Sequence, residues 1–209
     1  LHEPFVISRV VQEQGEVVVV EIAQDGVIGR GECEDADIFF SEEVTIVPDI
    51  KAARRQIEAG IDRAELQKLM PAGPARNAID CALWDLEAKL TGTPIYRLAG
   101  LDAPLKPVTT VFTISLGTPE KMAADARANN YRPVLKLKLG LEGDVERVAA
   151  VRKAAPDARI SVDANTGWSE AQLIEYLPEL ANLGVELVEQ PFMPGEDAML
   201  ENFKSPISI

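Results

Sequence analysis

The sequence predicts an α/β protein in which a partial parallel (β/α) barrel follows a smaller α+β domain. From residue 108 onward, short apolar segments typical of buried strands alternate with longer segments of helical periodicity. Three of these apolar segments end in a polar group, and 25 and then 26 residues separate one group from the next. That interval accommodates one strand, one helix and the two loops that join them, which is the repeat of a parallel βα barrel.

The α+β domain is predicted to occupy residues 1–103. Its first part is rich in β-branched residues, and its second part shows helical periodicity. Turns at Gln14-Gly15 and Asp25-Gly26 are expected to join the strands into a three-stranded antiparallel meander. The expected strands cover residues 5–12, 16–24 and 27–31, and the expected helices cover residues 47–58, 62–69 and 74–91.

The barrel domain is predicted to occupy residues 104–209, beginning with a short proline-bounded linker. The expected strands cover residues 108–114, 133–139, 159–163 and 185–189, and the expected helices cover residues 118–129, 143–154, 169–182 and 196–202. A fifth strand begins at Pro206. Because a closed barrel has eight repeats, these residues make its first half. We expect the remaining strands to lie in a part of the protein beyond this sequence.

The composition restricts the partners. The net charge is −13 and no basic stripe offsets it, which argues against nucleic acid as a partner. No segment approaches the roughly 18 apolar residues of a membrane span. Only two cysteines are present, far apart in the sequence, as is usual in reducing compartments. We therefore expect a cytoplasmic protein with a small-molecule substrate, and homo-oligomer formation remains open.

Three polar motifs interrupt or end the apolar strands of the predicted barrel. They are Lys136-Leu137-Lys138, Asp163-Ala164-Asn165 and Glu189-Gln190-Pro191. Because the carboxyl ends of parallel barrel strands open into one shared mouth, their side chains are expected to lie together. Barrel enzymes carry their catalytic groups at this mouth.

The residue types in these motifs suit one kind of chemistry. Asp163 and Glu189 supply oxygen ligands for a hard divalent cation such as Mg²⁺. Lys136 and Lys138 lie on one face of a strand because side chains alternate with a period of two. A lysine beside a second cation in a partly dry pocket can act as a general base. A base beside a metal suits removal of a proton next to a carboxylate.

Each motif alone also has a structural explanation without function. The lysine pair could be exposed on an edge strand, although the apolar residues that alternate with it favour a strand covered on its other face. Asp163-Ala164-Asn165 could be a turn, because these residue types favour turns. Glu189 could simply end a strand. The three motifs in order, at barrel spacing, are more specific than any one of them.

The three motifs resemble the KxK, DxN and EQP motifs of the enolase superfamily, in its muconate-cycloisomerase-like branch. Within that branch, two segments look most like those of dipeptide epimerases that act on L-Ala-D/L-Glu: Thr113 to Glu120, and Asp163 to Trp168. The resemblance also covers the helix from Arg76 to Leu86 and extends over nearly the whole chain. It implies a (β/α) barrel preceded by an α+β capping domain.

The resemblance implies roles for particular residues. Lys138 would be one acid/base catalyst, and Lys136 would help to orient the substrate carboxylate and tune the base. Asp163 and Glu189 would bind Mg²⁺, and Asn165 would support them. Thr113 would lie close to the substrate.

Further parts of the site are implied elsewhere. The third carboxylate ligand and the second catalytic lysine are expected beyond Ile209. A substrate-selecting loop of the capping domain is expected at 32–46.

Two other functions compete with a dipeptide epimerase. The same scaffold and the same motifs would suit a muconate cycloisomerase or an o-succinylbenzoate synthase. A non-catalytic fragment or degenerate relative, which binds a carboxylate without turnover, is an alternative of another class. The residues of the later barrel strands would distinguish the epimerase from the cycloisomerase and the synthase. Metal binding together with solvent-deuterium exchange would distinguish the enzyme from the non-catalytic fragment or relative.

Overall fold

The computed structural model describes residues 4–34, 45–101 and 105–209. It divides into two compact units, one made of Leu1–Gln14 together with Pro107–Ile209 and the other of Gly15–Lys106. The structure therefore groups the first fourteen residues with the βα repeats, whereas the sequence placed them in the α+β domain. No helix in the described residues is long and apolar enough to cross a membrane.

The segment predicted as one strand over residues 5–12 is a small hairpin. Strand β1 (Phe5–Val6) pairs antiparallel with strand β2 (Val11–Gln12). The Ile7 amide donates to the Val10 carbonyl at 3.0 Å and closes a turn around Ser8 and Arg9. The predicted three-stranded meander is thus wrong, because this segment pairs with itself and not with the next strand.

The described part of the unit Gly15–Lys106 contains one hairpin and four helices. Its strands pair antiparallel around Asp25-Gly26, and Gly26 has the positive φ of 79° that this turn requires. The elements are β3 (Val17–Gln24), β4 (Val27–Glu34), α1 (Ile46–Glu58), α2 (Arg63–Leu69), α3 (Pro74–Thr91) and α4 (Ile95–Leu98). The three long helices match their predicted ranges to within one residue, and α4 is an additional short helix.

The remaining residues of the other unit form βα repeats around a four-stranded parallel sheet of order β5-β6-β7-β8. The elements are β5 (Phe112–Ile114), α5 (Pro119–Ala128), β6 (Val134–Lys138), α6 (Asp144–Ala154), β7 (Arg159–Asp163), α7 (Glu170–Asn182), β8 (Val185–Glu189) and a 3-10 helix (Asp197–Asn202). Instead of a full fifth strand, Ser208 makes a single parallel bridge to Leu187.

The two faces of this sheet differ in polarity. Leu135, Leu137 and Leu139 are completely buried in the core that also contains the apolar faces of α5, α6 and α7. Lys136 and Lys138 alternate with these leucines and therefore project from the opposite face. The sequence pattern thus places the lysines correctly, because strand alternation leaves them no other face.

A β-bulge in β8 determines the face on which Glu189 lies. Ile160 pairs with Val185, but the next residue, Ser161, pairs with Leu187, so Glu186 is skipped. Without this extra residue, Glu189 would share a face with the buried Val185, because side chains alternate with a period of two. With it, Glu189 is brought level with Asp163 and on the same face.

Arg152 joins the loops at the amino ends of the strands. Its guanidinium donates hydrogen bonds to four backbone carbonyls at 2.6–3.1 Å. Pro156 and Ala158 supply two of them in the loop before β7, and Leu183 and Gly184 supply the other two in the loop before β8. One side chain thus satisfies carbonyl groups from two consecutive αβ loops.

Replacing Arg152 by methionine is expected to destabilise the protein by about 2 kcal/mol, because the four carbonyls lose a charged donor. Denaturant unfolding would measure the change. Arg127→Met, which replaces an exposed arginine of α5, is the matched control and should stay within about 0.5 kcal/mol of wild type. Equal effects of the two substitutions would contradict this role of Arg152.

Replacing Gly31 by alanine is expected to destabilise the α+β unit by about 2–3 kcal/mol. A Cβ atom there would overlap the Ala78 carbonyl oxygen and lie 2.7 Å from the Ala82 nitrogen, so α3 would have to move away from β4. The control is Gly117→Ala, where the added methyl would meet only side-chain atoms at ordinary contact distances, those of Lys121 from 3.4 Å and of Met122 at 3.8 Å. Thermal unfolding of both variants would test the difference.

Candidate functional site

The carboxyl ends of β6, β7 and β8 carry one polar residue each at the same level. Lys138 pairs in register with Asp163, and Asp163 pairs with Glu189. Lys136 lies two residues earlier on β6, level with Thr113 of β5. The structure therefore brings the predicted lysines, carboxylates and Thr113 to one edge of the sheet.

Asp163 is the centre of a network of ion pairs. Its Oδ2 atom accepts from Lys138 Nζ at 2.7 Å and lies 3.0 Å from Lys136 Nζ. Lys136 Nζ also lies 2.7 Å from Glu189 Oε2 and thereby bridges the two carboxylates. The other oxygen of Asp163, Oδ1, accepts from the Asn165 amide at 2.9 Å.

Burial and ion pairing act in opposite directions on these groups. Burial alone would raise the pKa of the Asp163 carboxyl, but hydrogen bonds from Lys138, Lys136 and the Asn165 amide outweigh it and hold that pKa below its ordinary value. Burial alone would lower the pKa of Lys136, but Glu189 and Asp163 outweigh it and raise that pKa. Asp163 and Lys136 are thus both stabilised in their charged forms.

The loops that follow the two carboxylates adopt strained backbone conformations. Asn165, Thr166 and Gln190 have φ values of 44°, 65° and 46°, in the left-handed region that is costly for residues with a side chain. Backbone hydrogen bonds hold these loops together, including the Thr166 amide to the Gln190 carbonyl at 2.8 Å. Such strain is common at functional sites, where surrounding contacts enforce it.

Two buried oxygen atoms in the loop after β7 have no hydrogen-bond partner. They are Asn165 Oδ1 and Thr166 Oγ1, in residues that are 6% and 5% exposed. An unpaired buried acceptor is unfavourable, and such atoms in native structures often serve a ligand or a water molecule. The predicted supporting residue Asn165 therefore contributes its amide to Asp163 and leaves its side-chain oxygen available.

The hairpin β1–β2 contributes contacts that the sequence did not predict. Ser8 Oγ donates to the Asn165 carbonyl at 3.1 Å, and an Arg9 nitrogen donates to the Thr166 carbonyl at 3.2 Å. The ring of Phe5 lies 5.7 Å from Lys138 Nζ, within cation–π range. No motif marks these residues, and their assignment to the α+β domain concealed their proximity to Lys138.

The described residues leave out most of one predicted part of the site and contain no larger metal-binding group. The substrate-selecting loop expected at 32–46 lies mostly in residues 35–44, outside the described residues. Within the described residues no group of three or more histidine, cysteine, aspartate or glutamate side chains could hold a metal ion. The carboxylate pair Asp163 and Glu189 is therefore the set of ligands to consider.

The arrangement can place a proton-transfer group beside a cation site. Asp163 and Glu189 already share one cation, the Lys136 ammonium, so both can reach a common positive charge. Lys138 contacts the same Asp163 oxygen and is only 9% exposed. A carboxylate-bound cation and an adjacent amine are the two groups needed to remove a proton next to a substrate carboxylate.

Two family models match the chain. Residues 1–100 match the mandelate racemase / muconate lactonizing enzyme N-terminal domain, and residues 120–209 match the enolase C-terminal domain-like family. The two matches together cover nearly the whole chain without overlap.

Individual relatives agree with these matches. The L-Ala-D/L-Glu epimerase of Escherichia coli (strain K12) is 41% identical over 211 residues, which cover 100% of this chain and 65% of that protein. A crystal structure of an enolase family member from Agrobacterium tumefaciens, with homology to dipeptide epimerases and with bound sodium and L-Ala-L-Glu, is 42% identical with a TM-score of 0.91. The match covers 98% of this chain and 62% of that one.

A dipeptide epimerase from Cytophaga hutchinsonii, solved with Mg and D-Ala-L-Val, is 30% identical with a TM-score of 0.71. The match covers 92% of this chain and 56% of that one. The chain thus spans somewhat less than two thirds of the length of the relatives it matches.

The ion-pair network predicts how stability depends on pH. Because the folded-state pKa of Asp163 lies below the ordinary 3.8, its ionised form stabilises the fold above that value, and this contribution is lost as pH falls through the lowered pKa. We expect the difference in unfolding free energy between wild type and Asp163→Asn, measured with a metal chelator present, to shrink below pH 3.8.

Urea unfolding at several pH values between neutrality and acid would test this. The control is Asp157→Asn, which changes an exposed aspartate in the loop before β7 and should leave the unfolding free energy close to wild type. A difference between wild type and Asp163→Asn that grows towards acid pH would contradict the assigned ion pairs.

Proposed function

Since the chain belongs to the enolase superfamily, as its two family matches show, we propose that the whole protein is a Mg²⁺-dependent dipeptide epimerase of the L-Ala-D/L-Glu type. The observation that carries this proposal is the cluster in which Lys138, Lys136 and Glu189 all meet around the buried carboxylate of Asp163. A relative that is 41% identical carries the name L-Ala-D/L-Glu epimerase, which supports the choice of reaction.

The residues present fit a hard divalent cation. Asp163 and Glu189 offer carboxylate oxygens, and both approach the single nitrogen of Lys136, so a common ion is within their reach. Asn165 Oδ1 is a further buried oxygen without a partner in the loop that follows Asp163. When bound, Mg²⁺ supplies the positive charge that stabilises negative charge developing on the substrate carboxylate. The structures of relatives with Mg support this cofactor.

Lys138 would transfer the proton. It lies beside Asp163 and opposite the Phe5 ring, in a site largely shielded from water. In its neutral form, the Lys138 amine would offer the lone pair that accepts a proton. The amine would take the α-proton of the dipeptide's C-terminal residue, and the electron pair of the C–H bond would shift into the adjacent carboxylate. A second acid on the opposite face, which the whole protein would have to supply, would return a proton there and invert the α-carbon, and Lys138 would release its proton to solvent.

Lys136 and Thr113 would bind and orient the substrate. Lys136 pairs with Asp163 and Glu189 in this structure, and with a cation held by these carboxylates its ammonium would be available to pair with the substrate carboxylate. Thr113 lies level with it on the neighbouring strand and is half-buried. These contacts would hold the α-carbon in reach of Lys138.

Arg9 supports an acidic dipeptide. It is exposed, and one of its nitrogens is anchored on the Thr166 carbonyl in the loop after Asp163. A guanidinium at this place suits the carboxylate of a glutamyl side chain.

For the location of the protein we propose the cytoplasm, because two distant cysteines in 209 residues are typical of a reducing compartment.

Lys138→Ala in the whole protein should lower exchange of the α-proton with solvent deuterium by about 10²–10⁴-fold with L-Ala-L-Glu, because the base is gone. Lys136→Ala should lower turnover by about tenfold or more through lost orientation of the substrate carboxylate. Proton NMR in deuterated buffer with Mg²⁺ would measure both rates. The control is Lys153→Ala, an exposed lysine of α6, which should exchange at the wild-type rate.

Wild-type exchange rates in Lys138→Ala from both substrate epimers would remove Lys138 from the mechanism. Turnover of muconate or of an o-succinylbenzoate precursor, without exchange on any dipeptide, would replace the epimerase by the cycloisomerase or synthase alternative. Binding of Mg²⁺ without exchange or turnover on any of these substrates would favour the non-catalytic relative.

A further inference from the structure

A second buried carboxylate lies behind the proposed site, in the first turn of α6. Asp144 is 0% exposed, and its Oδ2 atom accepts three hydrogen bonds. The donors are the Gly140 amide at 2.7 Å, the Leu141 amide at 3.1 Å and the Trp168 indole Nε1 at 2.8 Å. The first two belong to the loop after β6 and the third to the loop after β7.

Arg147 extends these contacts to a third loop. It pairs with the other oxygen of Asp144, Oδ1, at 3.1 Å and donates to the Glu142 carbonyl at 2.6 Å. Its Nε atom donates to the Gly117 carbonyl at 2.8 Å. Gly117 lies in the loop after β5. Asp144 and Arg147, one helical turn apart, are therefore tied to the loops that follow three consecutive strands.

The indole of Trp168 is held in a single position. The residue is 5% exposed, and its ring packs edge-to-face on Tyr176 with the ring centroids 5.5 Å apart. The backbone of Gly167 approaches that of Gly140 so closely that a Cβ on Gly167 would lie 2.6 Å from the Gly140 Cα and carbonyl oxygen. The loops after β6 and β7 thus touch directly, and the Asp144–Trp168 hydrogen bond closes the contact.

These loops follow the strand ends that carry the proposed base Lys138 and the proposed metal ligand Asp163. Gly140 follows Lys138 by two residues, and Trp168 follows Asp163 by five, with the strained Asn165 and Thr166 between them. Strained loops keep their conformation only where contacts over-determine it. Burial raises the pKa of the Asp144 carboxyl, while the indole and amide donors act in the opposite direction, so its charge is costly and its acceptor role is the useful one.

We propose that Asp144, Arg147 and Trp168 form a clamp that positions Lys138 and Asp163 relative to each other, by fastening the loops after β5, β6 and β7. These three are positioning residues: they contact neither substrate nor metal in the proposed mechanism and act through the loops. The inference rests on the proposed epimerase reaction for its kinetic consequences and only on the proposed metal ligands Asp163 and Glu189 for its effect on Mg²⁺ binding.

The test uses Trp168→Phe, which keeps a packed ring and removes the indole donor, in the whole protein. Calorimetric titration with MgCl₂ should show about tenfold weaker binding, because a residue that orients a metal ligand is lost. At saturating Mg²⁺, kcat for L-Ala-L-Glu should fall about tenfold with KM within twofold, because the base is misplaced but the substrate still binds. Trp84→Phe is the matched control. Trp84 lies in α3 of the other unit, where its ring packs against the guanidinium of Arg63 from α2.

Asp144 provides a second pair of variants. Asp144→Asn keeps one oxygen that can accept from the indole and the two amides and loses only the pair with Arg147, which still donates to the Gly117 and Glu142 carbonyls. This variant should retain Mg²⁺ affinity and kcat within about threefold of wild type. Asp144→Ala removes the acceptor and should match Trp168→Phe. If Asp144→Ala fails to fold, the comparison of Trp168→Phe with Trp84→Phe and with Asp144→Asn still decides the question.

The clamp is overturned if Trp168→Phe binds Mg²⁺ and turns over like Trp84→Phe, or if Asp144→Asn is as impaired as Trp168→Phe. If the wild-type protein binds Mg²⁺ but epimerises no dipeptide, the proposed function fails, and the calorimetric comparison alone then supports or overturns the clamp.

Discussion

A carboxylate that is almost completely removed from water, as that of Asp163 is, remains ionised only if cations and N–H donors surround it. Two ammonium groups and one backbone amide meet this requirement here. Each of them comes from a fixed place: Lys136 and Lys138 from one face of β6, and the amide from the turn that begins after Asp163. The satisfaction of this one buried charge therefore ties the strand register to the conformation of the following loop.

The loop that follows Asp163 has a strained backbone. Asn165 and Thr166 in this loop adopt left-handed backbone conformations that cost about 1–2 kcal/mol each, and so does Gln190 in the loop after β8. Neighbouring groups compensate this cost by hydrogen bonds: the β8 loop from one side, Ser8 and Arg9 of the hairpin from another, and Trp168 through Asp144 from behind. A site built in this way has its geometry determined before a ligand arrives, which is what proton transfer at a fixed carbon requires.

The two ends of the parallel sheet carry different tasks. At the amino ends, Arg152 joins two αβ loops through backbone carbonyls. At the carboxyl ends, the polar side chains converge and the strained residues lie beside them. This separation of stability from chemistry is a property of parallel βα architectures, in which only the carboxyl-end loops surround the mouth.

The sequence by itself determined the βα repeats, the long helices and the face of the lysines, because these follow from periodicity along a continuous segment. Leu135, Leu137 and Leu139 leave Lys136 and Lys138 only one side of β6. The residue types also sufficed to pick out Asp163 and Glu189 as a carboxylate pair at barrel spacing. Local patterns of this kind are readable because they depend on neighbours in the chain.

The tertiary structure decided what depends on contacts distant in sequence. The skipped residue Glu186 turns Glu189 towards Asp163, and only the pairing of β7 with β8 reveals it. The hairpin of residues 5–12 pairs with itself and brings Phe5, Ser8 and Arg9 to Lys138 and the loop after Asp163, across more than 130 residues of chain. In the sequence Asp144 is an ordinary acidic residue at the start of a helix, and only the structure shows that it accepts a hydrogen bond from the Trp168 indole. No local period encodes such contacts, because packing and hydrogen bonding between separate segments select them.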